Sequence, residues 1–167
     1  GFRVMPVARG EKRPLTAWKN GGRGSAATWD EDVVAEWARR WPDATYGIAA
    51  GEMRDGKQLL VVDCDAHGAD PDAFLMAVIR WMTEVVGMTT AEASTLLVRT
   101  RSGGAHLYWD AAGVPDETIS AWGNAVGIAT RDEGLIDIDL RTPGRGYVVG
   151  PDMMAPGFHA GHYSLQV

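Results

Sequence analysis

The run Leu59-Leu60-Val61-Val62-Asp63-Cys64-Asp65 constrains the chain more than any other stretch. From Gln58 it is almost wholly apolar until it ends in two acids, the pattern of a central strand buried on both faces. Such a strand needs sheet neighbours on its edges and a covering layer on its faces, so the fold class read here is α/β (α+β). A length of 167 residues, 46% of them hydrophobic and 23% charged, suffices for one core, and residues 1–167 are read as a single domain.

Other elements follow from periodicity and punctuation. Phe2, Val4 and Val7 suggest a short strand, and the Gly-, Lys- and Arg-rich residues 9–25 a long loop. Asp30, Glu31 and Asp32 after Thr28 open a helix that carries Val33, Val34, Trp37 and Trp41 at helical spacing and stops at Pro42. Its tryptophans are read as packing residues rather than a base-stacking platform. Residues 46–49 form a strand and residues 51–56 a turn. Beyond Asp65, residues 72–86 form a helix with Phe74, Leu75, Val78, Ile79, Met82 and Val85 inward, capped by Asp70 or Asp72. Residues 94–100 and 105–109 pair as a hairpin, and residues 115–126 form a helix. In residues 135–141, Ile136, Ile138 and Leu140 alternate with Asp137 and Asp139, and Tyr147-Val148-Val149 returns as a hairpin after Pro143-Gly144. The expected sheet is therefore mixed.

A single cysteine, Cys64, excludes an internal disulfide framework and a thiolate-rich zinc site, and fits a reducing, cytoplasmic setting. No apolar run approaches the roughly 20 residues that cross a bilayer, and the opening lacks a signal peptide's apolar stretch, so no membrane partner is expected. The net charge of −6 opposes a nucleic-acid partner, yet Arg3, Arg9, Lys12, Arg13, Lys19 and Arg23 crowd the first segment against Glu11 alone. That segment is either a nucleic-acid-binding module or a solvated basic loop.

Asp63 and Asp65 stand two apart on one strand, so their carboxylates share a face opposite Cys64. Two like charges that close favour a divalent cation, and hard oxygen ligands favour magnesium or manganese over zinc. Asp137 and Asp139 repeat the spacing on a later strand. Two strands offering carboxylates to one face is the geometry of two-metal phosphoryl transfer. Ser102-Gly103-Gly104 before His106 offers backbone N–H groups, a hydroxyl and an imidazole to phosphate oxygens, and Arg101 and Arg141 add cations.

Together these residues resemble the N-terminal domain of bifunctional primase-polymerases, a branch of the archaeo-eukaryotic primase superfamily. The resemblance rests on Val61-Val62-Asp63-Cys64-Asp65, on Ser102-Gly103-Gly104-Ala105-His106-Leu107-Tyr108, and on Asp139-Leu140-Arg141 followed by Gly146-Tyr147-Val148-Val149. The departure is Gly150-Pro151-Asp152, where Pro-Pro-Ser is usual. By position, the resemblance implies a small N-terminal α/β module packed on an RRM-like palm. Asp63, Asp65 and Asp139 would hold two Mg²⁺ or Mn²⁺ ions, with Asp137 the alternative third acid. Ser102, Gly103, Gly104 and His106, with Arg101 and Arg141, would bind the triphosphate of a dNTP or NTP. Single-stranded DNA template and primer would be the other substrates, with Lys12, Arg13, Lys19 and Arg23 on nucleic acid. The resemblance further implies a longer plasmid- or phage-encoded replication protein of a prokaryotic host, carrying a C-terminal helicase.

Rivals are separable by residues. A haloacid-dehalogenase-like phosphatase shares the D-x-D strand end but needs a downstream lysine, whereas Lys12, Lys19 and Lys57 all precede Asp63 and none follows it. An EF-hand loop from Asp63 would put Phe74 where a bidentate Glu belongs. A rolling-circle nickase wants paired histidines, where His106-Leu107-Tyr108 has one. A nucleotide- or DNA-binding module without polymerisation remains the non-enzymatic alternative.

Overall fold

The computed structural model describes residues 1–18, 26–85, 87–93, 95–100, 102–111, 114–115, 117–118, 121, 138–144, 146–151 and 164–166, those at 85, 92 and 164–166 by backbone only. They form an α+β fold of helices and antiparallel sheets. The chain falls into two compact units: residues 1–61, 110–124 and 141–150, and residues 62–109, 125–140 and 151–167.

In the first unit, β1 (Arg3–Val7), β2 (Thr45–Ala49) and β8 (Tyr147–Val149) form a three-stranded sheet in the order β1-β2-β8. β2 pairs antiparallel with both neighbours, Met5 facing Gly47 and Gly47 facing Val149. Pro6 lacks an N–H, which an edge strand such as β1 tolerates. Met5, Val7, Ala27 and Ala49 make a small core, with Trp18, Trp37 and Tyr147 packed against it. α1 (Glu31–Arg40) starts as its sequence dictates: the Asp30 carboxylate accepts hydrogen bonds from the N–H groups of Asp32 (3.0 Å) and Val33 (3.2 Å). Acids fill its first turn and Arg39 and Arg40 its last, both matched to the helix dipole. No residue of α1 is fully buried. Its tryptophans are thus half-buried, Trp37 reaching the core and Trp41 closing the helix as its C-cap.

A second sheet runs β3-β4-β6-β5-β9, with β7 also paired to β4. Its strands are β3 (Gly51–Glu52), β4 (Gln58–Cys64), β5 (Leu96–Arg99), β6 (Ala105–Asp110), β7 (Ile138–Arg141) and β9 (Ser164–Gln166). β4 is interior, as its apolar run requires, with Leu59, Val61, Val62, Asp63 and Cys64 buried. β5 and β6 form the expected antiparallel hairpin, Val98 opposite His106. α2 (Pro71–Arg80) covers the second unit's core with Phe74 and Val78. Asp70 caps it by accepting from Ala73 N–H at 2.8 Å, and Pro71 sits in the first turn, where a missing N–H costs nothing.

Five details depart from the sequence expectations, the first being that Gly51–Glu52, expected to begin a turn, form β3 paired with β4. The helix expected to run to residue 86 changes to a π-helix over Trp81–Val85, where Thr83 Oγ1 donates back to Ile79 O at 3.1 Å. A short helix, α3 (Thr90–Ala93), and the strand β9 were not expected. The hairpin expected of residues 135–149 does not form, because β7 pairs with β4 whereas β8 pairs with β2. Backbone bonds from Gly144 N to Ala50 O (3.1 Å) and from Ala50 N to Gly146 O (2.9 Å) seize the intervening turn and lead the chain to β2. Most of the helix expected over residues 115–126 and of the strand over 135–137 lies outside the described residues.

Candidate active site

The acid end of β4 is built by three strands. β4 ends in Asp63, 7% exposed, and Cys64, fully buried, and Asp65 follows half-buried. β6 brings His106, 4% exposed, so that its Nε2 lies 3.2 Å from Asp63 Oδ1. Two residues along the same face, the Tyr108 ring meets the imidazole edge-on at 6.4 Å between centroids. β7 brings Asp139, half-buried, on a strand paired with β4. The two acid-bearing strands expected to be neighbours are neighbours.

Electrostatics register the same convergence. Burial pushes the Cys64 thiol far above its ordinary range, and the negative charges of Asp63, Asp65 and Asp139 push it further the same way. Burial and the three carboxylates all favour the protonated form of this sulfur.

The turn between β5 and β6 approaches β4 at the same point. A Cβ on Gly104 would stand 2.1 Å from the Cys64 carbonyl oxygen, so only glycine lets β6 begin this close to the peptide between the two acids. Gly103 takes φ +87°, a left-handed conformation that favours glycine. Thr100 N–H donates to Gly104 O at 2.9 Å, Gly103 N–H donates to Thr100 O at 3.1 Å, and the hydroxyls of Thr100 and Ser102 lie 3.2 Å apart. Ser102 itself is exposed. Arg99 braces the hairpin on the start of α2, donating to Pro71 O at 2.8 Å and pairing with Asp72 at 2.6 Å. Thr100 and Arg99 were not singled out from the sequence. Nothing in their local pattern separates a turn-bracing side chain from an ordinary strand residue.

Asp63, Asp65, Asp139, Ser102, Gly103, Gly104 and His106 all belong to the second unit. Arg141 ends β7 in the first unit, where its charge lowers the pKa of Tyr147 against the larger upward push of burial. Lys12 and Arg13 lie on an exposed turn of the first unit, the Lys12 carbonyl accepting from Tyr147 Oη and Arg13 pairing with Glu11 at 3.1 Å. Arg3 serves the fold, donating to Ala27 O at 2.8 and 3.0 Å. Arg101, Asp137, Lys19 and Arg23 lie outside the described residues.

Among the described residues no three His, Cys, Asp or Glu side chains gather into a group that would ligate one ion by themselves. The charged donors at the β4 end are the carboxylate oxygens of Asp63 and Asp65, with Asp139 on the neighbouring strand and the His106 imidazole beside Asp63. Magnesium-type ions take one or two carboxylates and complete an octahedral shell with water and phosphate, so this donor set fits Mg²⁺ or Mn²⁺ shared with a triphosphate. It does not fit a closed structural zinc centre. No helix among the described residues is long and apolar enough to cross a membrane.

No curated protein matches the chain. Residues 1–165 match the family model for the bifunctional DNA primase/polymerase N-terminal domain, so the chain belongs to that family, whose domains carry out primase/polymerase-type nucleotidyl transfer on nucleotides and DNA.

Proposed function

We propose that residues 1–167 are the catalytic domain of a DNA primase/polymerase that extends a primer, or an initiating nucleotide, on a single-stranded template. The observation that carries this reading is the pairing of β7, which bears Asp139, with β4, which ends in Asp63 and leads into Asp65, with His106 Nε2 at 3.2 Å from Asp63. The 3′-oxygen of the primer attacks the α-phosphorus of a dNTP or NTP, the bond to the β-phosphate oxygen breaks, and pyrophosphate leaves. Two bound Mg²⁺ or Mn²⁺ ions would lower the pKa of the attacking hydroxyl and neutralise charge on the leaving group. The chain's own part is to hold them through Asp63, Asp65 and Asp139.

Ser102, the N–H groups at Gly103 and Gly104, and His106 bind triphosphate oxygens, and Arg101 and Arg141 add cations. His106, buried and fixed by Asp63 and Tyr108, is a preformed phosphate ligand rather than a mobile base. Lys12, Arg13, Lys19 and Arg23 contact the template backbone. The domain works within a longer plasmid- or phage-encoded protein of a prokaryotic cytoplasm, with a C-terminal helicase as partner.

Primed single-stranded template, dNTPs and Mn²⁺ test this directly. Wild type extends the primer, and Asp63→Ala lowers the rate at least about a hundredfold. No extension by wild type overturns the polymerase reading. Unchanged extension by Asp63→Ala overturns the site.

A further inference from the structure

The first unit contains an open cavity of about 340 Å³ between α1 and the edge of its sheet, walled by Val4, Pro6, Val34, Trp37, Trp41 and Tyr46. Its size falls in the lower range of sites that take small organic groups, and three of its ten lining residues are aromatic. Nothing in the β4 chemistry uses it.

We infer that this cavity receives an unstacked base of single-stranded nucleic acid, with the adjoining phosphate held by the arginines at the C-terminal end of α1. The inference rests on the reading of the chain as one that handles single strands, and adds where a base is held.

Three observations converge. First, a helix whose tryptophans served only the core would bury them, whereas α1 buries no residue fully and Tyr46 is 36% exposed. Trp37 packs against the Met5 and Val7 cluster, so one wall is backed by the core. Second, every base has a π-face, so aromatic walls bind bases with little regard to sequence, as a template site requires.

Third, the charge is complementary to a nucleotide. Arg39 and Arg40 occupy the last turn of α1, and the Arg40 guanidinium lies 4.7 Å from the centre of the Trp41 ring, a cation set on an aromatic wall. Arg9 lies near the same end, 3.8 Å from Asp43, both side chains largely in solvent. The acids Glu31 and Asp32 stand at the opposite end of the helix, Glu36 is exposed midway, and Asp43 is shared with Arg9. An apolar partner would make no use of the arginines at this end, Arg39 and Arg40 in the last turn of α1. A phosphate on the base it receives supplies their counter-charge.

The test uses the whole chain, without divalent metal, so that it does not depend on polymerisation. A short oligothymidylate carrying 5-iododeoxyuridine is cross-linked to wild type by light, and the adduct is mapped by peptide mass spectrometry. It is expected on Trp37, Trp41 or Tyr46. In parallel, anisotropy of a labelled oligothymidylate should show affinity falling about tenfold in Trp41→Ala and returning in Trp41→Phe, with a shallower salt dependence in Arg40→Ala. Adducts confined to other residues overturn the inference whatever the variants do, as does unchanged affinity in a folded Trp41→Ala. A concentration-dependent dimer that shields Trp41 from the cross-linker also overturns it, assigning the cavity to a second copy. If wild type extends no primer yet cross-links at Trp41, the polymerase reading falls and this one stands. If it extends primers and cross-links elsewhere, the reverse holds.

Discussion

Two glycines of this chain would clash almost equally if given a side chain, and what they would strike differs completely. A Cβ on Gly104 would stand 2.1 Å from the Cys64 carbonyl oxygen, which is backbone at the acid end of β4. A Cβ on Gly150 would stand 2.3 Å from the ring of Tyr46, a side chain 36% exposed beside an open cavity. The first neighbour cannot move without taking Asp63 and Asp65 with it, whereas the second is the far end of a side chain that lines a cavity. Around the acids the backbone is over-determined by close approach, burial and strand pairing. Around α1 the packing is loose.

The widest separation is expected from Gly104→Ala. Prising β6 from β4 destabilises the fold by about 3 kcal/mol, at the upper end for overpacking a filled site. Chemical denaturation should therefore show a much lower midpoint. Because Gly104 lies beside the peptide joining the two acids, any fraction that still folds should lose primer extension more than it loses oligonucleotide binding. A variant as stable and active as wild type would break the contrast.

A smaller effect is expected at the N-terminus of α1. Asp30→Ala removes the acceptor for the N–H groups of Asp32 and Val33, a capping loss of about 1 kcal/mol. Since α1 buries no residue fully, that loss should fray its first turn without unfolding the sheet. Amide exchange would show faster exchange confined to Asp32, Val33 and their neighbours. Global acceleration would mean that α1 is bound to the core more tightly than its burial indicates.

The same contrast explains what the sequence made legible. The acid end of β4 could be read because each requirement leaves a local mark: an apolar run for an interior strand and alternate acids for one face, whereas the close approach that Gly104 permits came only from the structure. The helix start at Asp30, Glu31 and Asp32, and a cap at Asp70 or Asp72, were legible in the same way. What depends on partners distant in the chain was not readable. The turn at Pro143 and Gly144 has the composition of a hairpin, and only its backbone bonds with Ala50 divert β8 to the other sheet. The bracing of the Ser102 turn by Arg99 on Asp72 joins residues 27 apart, and no periodicity announces it. The tryptophans of α1 were read as packing residues from helical spacing, which gives the face they share but not how far a neighbouring sheet covers it.

Gly150→Ala is the mildest of these changes and the most informative about the cavity. Gly150 N–H donates to Tyr46 O at 2.8 Å, so the backbone stays tethered while the added methyl pushes the Tyr46 ring aside. The displaced ring has a half-exposed surface and the cavity to move into, and the stability loss should stay below about 1 kcal/mol, far short of that at Gly104. A ring pushed into the cavity reduces the space for a base. Oligothymidylate binding should weaken severalfold while primer extension at saturating template hardly changes. Weaker binding without loss of stability would tie Tyr46 to the single strand. A stability loss equal to that of Gly104→Ala would show instead that the Tyr46 ring is held as firmly as the backbone at the acids, and the distinction between the two regions would fail at its most direct point of comparison.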